Sequence, residues 1–227
     1  SGDAKSGHGG HMFVQVGTGN SGSGGNIKLS AGKTSGSGSG GTITMLTGFS
    51  VKSSSGDFIL KTENAGTAGV SGAVFVDTGF STSGSSGQVK VVTGQASSGG
   101  GGDISFLVGT GNWGDGGYIN EVAGETTAAA TQGGKVMITG GKGSDIGVSN
   151  GGTGGDIVLR GGEAMGGNKV LNIGGMLKFV GGTSAAASGG AVMIGSGAGS
   201  ATSSGDLFMF SADSGPAGVS GSLDFSS

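Results

Sequence analysis

A glycine-led unit of 15 or 16 residues recurs along this chain, and it limits the fold more than any other feature. Each copy reads Gly-x-φ-x-φ-x-small-Gly, with φ apolar, and is followed by an arc rich in Gly and Ser. The clearest are GNIKLSAG from Gly25, GTITMLTG from Gly41, GAVFVDTG from Gly72, GQVKVVTG from Gly87 and GDISFLVG from Gly102. The leading glycines are Gly10, Gly25, Gly41, Gly56, Gly72, Gly87, Gly102, Gly117, Gly134, Gly155, Gly175, Gly190, Gly205 and Gly221. Their gaps are 15 to 17 residues except for 21 and 20 between Gly134 and Gly175, where the extra residues are mostly Gly, Ser and Asn, as longer loops require. A fixed period of this kind marks a stacked architecture whose single units are unstable alone.

The apolar residues occupy the second and fourth places after the leading glycine: Ile27 and Leu29, Ile43 and Met45, Phe58 and Leu60, Val74 and Val76, Val89 and Val91, Ile104 and Phe106. A spacing of two puts both side chains on one face of a strand, whereas a helix needs spacings of three and four. Most of these residues are β-branched or aromatic and fit a pleated sheet, while the frequent glycines disfavour helix. The expected fold is therefore all-β, with essentially no helix: a parallel β-solenoid spanning residues 1–227 as a single domain of about fourteen strand-arc units. Those twelve residues form its core. Two units per coil are favoured over one, because they set one apolar strand against another and match the alternating gaps of 15 and 16 near the start.

The opposite face is mixed. It carries Thr42, Thr44, Lys28, Lys90, Asp77 and Ser105, but also Phe13, Ile59, Phe75, Leu107, Met137, Val158, Met193, Phe208 and Phe210. Stacked at equal heights, Ile59, Phe75, Met137, Val158, Met193, Phe208 and Phe210 would make an apolar patch of the sort that marks an interface. Lateral packing against another copy is expected there, the alternative being arcs that fold back over it.

Composition removes several function classes. Glycine supplies 60 of 227 residues, yet it does not fall at every third place and there is one proline, Pro216, so collagen is excluded. A disordered Gly/Ser tract is disfavoured because the apolar residues are ordered rather than scattered. Net charge is -3 with 11% charged residues, which provides no basic face for nucleic acid. No apolar run approaches the ~20 residues of a membrane-spanning helix, and no segment has the order of a signal peptide. Without cysteine there is neither a disulfide framework nor thiolate chemistry. The absence of an initiator methionine suggests a mature product or a piece of a longer repeat protein.

Motifs for chemistry are few. GGTGGDIVL, Gly151 to Leu159, matches a calcium-binding nonapeptide with Asp156 as ligand, but such sites need copies nine residues apart. Asp57, Asp103, Asp156 and Asp206 each follow a leading glycine and read as solvated residues, with weak calcium binding as the alternative. His8 and His11 have no cysteine or carboxylate companion close by, so no metal is assigned to them. Gly-x-Gly-x-x-Gly strings such as GTGNSG from Gly17 arise by chance at this glycine content, with no helix after them to hold a phosphate. No nucleophile-base pairing can be drawn, so the expectation is a non-enzyme without cofactor. Trp113 and Tyr118, in GNWGDGGY, read as a hydrophobic plug over a loop or as a sugar-stacking platform. Thr47, Thr62, Thr78 and Thr93 recur at one place in successive units, alongside the pair Thr42 and Thr44. Such rows suit an ice-binding surface, and equally the turn chemistry of a strand end.

The repeat is nested. GDFILKTENAGTAGVSG from Gly56 returns as GDLFMFSADSGPAGVSG from Gly205, an offset of 149 residues shared by Gly41 and Gly190, so the chain holds about one and a half copies of a longer cassette. With SGDFILKTENAGTAGVSGAVFVDTGFSTSGSSGQVKVVTG and AGETTAAATQGGKVMITGGKG, it resembles the very long Gly/Ser-rich repeat proteins of diatoms and related algae. The resemblance covers most of the chain and departs at GDIVLRGGEAMGGNKVLNIGG. What it implies is an extracellular or cell-surface fibre, adhesive or wall component, with no catalytic residues to carry over. The expected function is thus a structural or adhesive building block whose partners are other copies of itself. Ice binding is the alternative, and a carbohydrate or ice surface the alternative ligand.

Overall fold

The computed structural model of the chain describes residues 7–226. Among them no residue is helical, and none lies in a β-strand either. This overturns the parallel β-solenoid, and with it the two-unit coil. Every backbone-to-backbone hydrogen bond among the described residues lies at the base of an arc or inside one, so the runs between arcs form no ladder with one another. The physical reason lies in the composition. Two apolar side chains per unit must offset the entropy of ordering a chain in which 60 of 227 residues are glycine, which loses more freedom on folding than any other residue.

The repeat is nevertheless visible as an alternation of unbent runs and sharp bends. Bends or turns fall at 20–22, 35–38, 51–53, 67–68, 82–84, 97–99, 112–115, 128–130, 148–150, 169–171, 185–187, 200–202 and 216–218. Each sits in the arc between one unit's apolar pair and the next unit's leading glycine. The cassette is preserved as well: the turn at Thr67 and Ala68 reappears at Pro216 and Ala217, 149 residues on.

Two devices shape the bends. Glycines at three apices take positive φ, Gly22 at 76°, Gly84 at 116° and Gly114 at 74°, a region that side chains with a Cβ rarely enter. Elsewhere a short polar side chain accepts from the backbone just ahead of it: Thr34 Oγ1 from Gly36 N–H at 3.1 Å, Ser50 Oγ from Ser53 N–H at 3.0 Å, and Ser184 Oγ from Ala187 N–H at 3.0 Å. These are the local bonds that make Ser and Thr turn residues.

The chain divides into two bodies, Ser1–Phe106 and Leu107–Ser227. The first contains only the regular arcs. The second contains both long loops, and each is internally bonded. In the loop after Gly141, Gly152 donates to the Asp145 carbonyl at 3.0 Å and Gly147 to Asp145 Oδ1 at 3.0 Å. In the loop after Gly162, Asn168 Oδ1 accepts from Val170 at 2.9 Å and Leu171 at 3.1 Å, while Asn172 Oδ1 accepts from Asn168 at 2.8 Å.

Arc bases follow a simple rule. Where the residue before the closing glycine is small, the next leading glycine donates back across the base: Gly41 to Gly32 after Ala31, Gly134 to Gly124 after Ala123, and Gly190 to Gly182 after Gly181, each at 2.8 Å. After Val16, Thr78, Thr93 and Val108 no such bond forms, nor after Thr62 and Ser211, where Glu63 and Ala212 replace the closing glycine; among the β-branched cases only Thr47 allows one, Gly56 to Gly48 at 2.9 Å. Bulk at this place holds the limbs apart. It also explains the leading glycine, since a Cβ added to Gly25 would lie 2.6 Å from Val16 Cγ1, and one on Gly117 2.7 Å from Val108 Cγ1. Val108→Ala is therefore expected to close its arc and slow exchange of the Gly117 amide severalfold, with Gly181→Val speeding that of Gly190; amide exchange followed by NMR reads both.

Candidate interaction surface

No side chain among the described residues is buried, so the twelve residues expected to form a core do not form one. Ile27, Leu29, Ile43, Met45, Phe58, Leu60, Val74, Val76, Val89, Val91, Ile104 and Phe106 are 48–71% exposed. The expected packing face, Ile59, Phe75, Met137, Val158, Met193, Phe208 and Phe210, is 70–92% exposed. The alternation read from the sequence therefore survives as a difference in shielding between the two rows.

The scale of this exposure is the main physical fact about the chain. Its accessible surface is 22574 Å² for 21.1 kDa, whereas a folded monomer of that mass exposes about 9,000 Å². Most of the surface a compact domain would hide is open to solvent. The part most shielded is the arc base: seven described residues are neither fully exposed nor buried, and five of them, Ala31, Ala123, Gly140, Gly161 and Gly181, precede a closing glycine.

One of the two rows is chemically uniform. Counting the leading glycine as the first residue of a unit, the third residue is apolar in all fourteen, from Met12 to Leu223. The fifth is apolar in all but one. The exception is Glu121, in GYINEVAG, which makes no ion pair among the described residues; the only pair there joins Lys61 and Glu63 at 3.7 Å, both well exposed. The opposite row mixes Lys, Asp, Thr and Ser with its apolar members.

The threonine array is placed at the arc bases. The nearest atom to a Cβ added on the next leading glycine is Thr47 Cβ at 3.8 Å for Gly56, Thr62 Cγ2 at 3.3 Å for Gly72, Thr78 Cγ2 at 3.6 Å for Gly87 and Thr93 Cγ2 at 3.6 Å for Gly102. Equivalent places hold Val16, Ala31 and Val108. A hydroxyl is therefore not common to the position.

The remaining candidates are not brought together. Trp113 is 93% exposed and Tyr118 86%, so neither plugs a loop. The His8 and His11 rings have centroids 6.2 Å apart, and no group of three or more His, Cys, Asp or Glu that could hold a metal ion occurs among the described residues. Asp156 stands without such companions. No pocket forms among the described residues, and they contain no helix long and apolar enough to cross a membrane. No protein-family model matches the chain, and no curated protein or solved structure is significantly similar to it.

Proposed function

We propose that this chain is a structural or adhesive building block of an extracellular fibre or cell surface, acting through self-association. The observation that carries this reading is the unburied apolar surface that recurs in every unit. With no side chain buried among the described residues, little hydrophobic stabilisation is set against conformational entropy, and contact between copies would add to it. The area at hand is ample: a standard protein interface takes about 800 Å² from each partner, a small fraction of what lies open here. A net charge of -3 over 227 residues opposes close approach only weakly. The diatom-like repeat style points to the same setting.

Threonines that share their place with Val and Ala, and that stand against glycine at arc bases, favour a packing role over a hydroxyl surface for ice. The test is sedimentation velocity across a wide concentration range, with electron microscopy of the same samples. Concentration-dependent assembly into fibres or sheets is expected. A chain that stays monomeric at every concentration overturns the proposal.

A further inference from the structure

We infer that Asn150 is a site of spontaneous covalent modification, at which the Gly151 backbone nitrogen attacks the Asn150 side-chain amide and converts the residue, through a succinimide, to aspartate and isoaspartate. The inference does not depend on self-association, and the site lies wholly within the body Leu107–Ser227. The chain has eight asparagines, and only Asn150 is followed by glycine. After the others stands Ser, Ile, Ala, Trp, Glu or Lys, whose side chain crowds the backbone nitrogen next to it.

Both reacting groups are accessible and uncommitted. Asn150 ends the turn at 148–150, and it and Gly151 are exposed. Among the described residues the Asn150 side chain makes no hydrogen bond and the Gly151 N–H donates to nothing; the bond that closes this loop comes from the next residue, Gly152, to the Asp145 carbonyl. Asn168 and Asn172 differ, since the side-chain oxygen of each accepts from loop backbone. The loop also demands glycine at 151, where a Cβ would lie 2.7 Å from the Gly147 carbonyl oxygen and 3.1 Å from that of Asp145. The residue that the turn requires is thus the one that leaves the attacking nitrogen uncrowded.

The reaction needs water and nothing else. The Gly151 nitrogen gives up its proton to solvent and bonds to Asn150 Cγ; the Cγ–Nδ2 bond breaks, and the nitrogen leaves as ammonia. Holding nucleophile and amide in adjacent residues makes the attack intramolecular. Water then opens the ring, giving aspartate where the bond to Cγ is cleaved and isoaspartate where the bond to the backbone carbonyl is cleaved. Either product adds a carboxylate five residues from Asp145 to a chain of net charge -3. Isoaspartate also lengthens the main chain between the turn and Gly152, which loosens the bond from Gly152 to Asp145.

The test incubates the full chain at neutral and mildly alkaline pH and follows each asparagine by peptide mass mapping, with enzymatic methylation of isoaspartate to detect the isomer. Asn150 is expected to convert severalfold faster than Asn20 or Asn64, faster again as pH rises because the attacking nitrogen must lose its proton, and to give both products. G151A is expected to slow conversion severalfold. N150Q, which keeps Gly151 and so leaves the turn's glycine in place, is expected to remove the isoaspartate signal from this peptide. In converted material the Gly152 amide is expected to exchange faster, and an unchanged rate would overturn the loosening of the loop. Conversion at Asn150 no faster than at Asn20 and Asn64, or conversion without isoaspartate, would overturn the site itself.

Discussion

Glutamate placed together at Ile27, Ile43, Val74 and Val89 is expected to keep this chain monomeric at concentrations where the unaltered protein is assembled, a shift of at least about a hundredfold. Each of these side chains is 50–58% exposed, so association can still remove about half of its surface from water. Full burial of a Val or Ile is worth about 1.5–3 kcal/mol, so the half that remains contributes about 0.8–1.5 kcal/mol at each site. Four sites then amount to some 3–6 kcal/mol, and about 1.4 kcal/mol corresponds to a tenfold change in affinity. The cost of pressing carboxylates into an apolar contact enlarges the effect. The matched set Ile59, Phe75, Met193 and Phe208, all to glutamate, tests the other row. It is expected to shift half-association much less, and the reverse order would assign the contact to those residues instead. Sedimentation equilibrium measures both.

The second large effect concerns protection of the backbone. In dilute solution the amides of the runs are expected to exchange at close to unprotected rates, because no ladder bonds them to another run. Those at the closed arc bases, Gly41, Gly134, Gly155, Gly175 and Gly190, are expected to be slower by severalfold. On assembly, protection in the runs from Gly25 to Gly109 is expected to rise by about a hundredfold or more, as buried apolar rows exclude water from the backbone between them. Hydrogen exchange read by mass spectrometry on dilute and assembled samples checks this. Runs already protected in the dilute monomer would contradict the exposure described above.

Much of the local structure is legible in the sequence. The leading glycine and the arc after it predict where the chain bends, and the structure bends there in every arc from that before Gly25 to that before Gly221. The reason is local chemistry: Gly22, Gly84 and Gly114 supply positive φ, and Thr34, Ser50 and Ser184 bond to backbone two or three residues ahead. The alternation of the apolar pair is also legible, and it emerges as two rows of unequal shielding. What could not be read was whether runs such as Gly25–Gly32 and Gly41–Gly48 would bond to each other. That depends on the balance between side-chain burial and chain entropy over the whole molecule. Spacing identifies which side chains share a face without saying what covers that face.

The candidate surface divides in the same way. Ile59, Phe75 and their companions are exposed in the structure, and so are the residues expected to form the core. The threonines were legible as an array, and the structure adds that they stand at the arc bases, beside Gly56, Gly72, Gly87 and Gly102.

The repeat on which everything rests is a property of the sequence alone: its period, its cassette and the places of its bends follow from glycine and short polar side chains acting over a few residues. Only the tertiary structure decided that the described runs carry no sheet and their apolar side chains no cover, because that outcome turns on whether distant segments of one chain bury enough surface to offset their ordering. Here they do not, and the surface left open is what a second copy would cover.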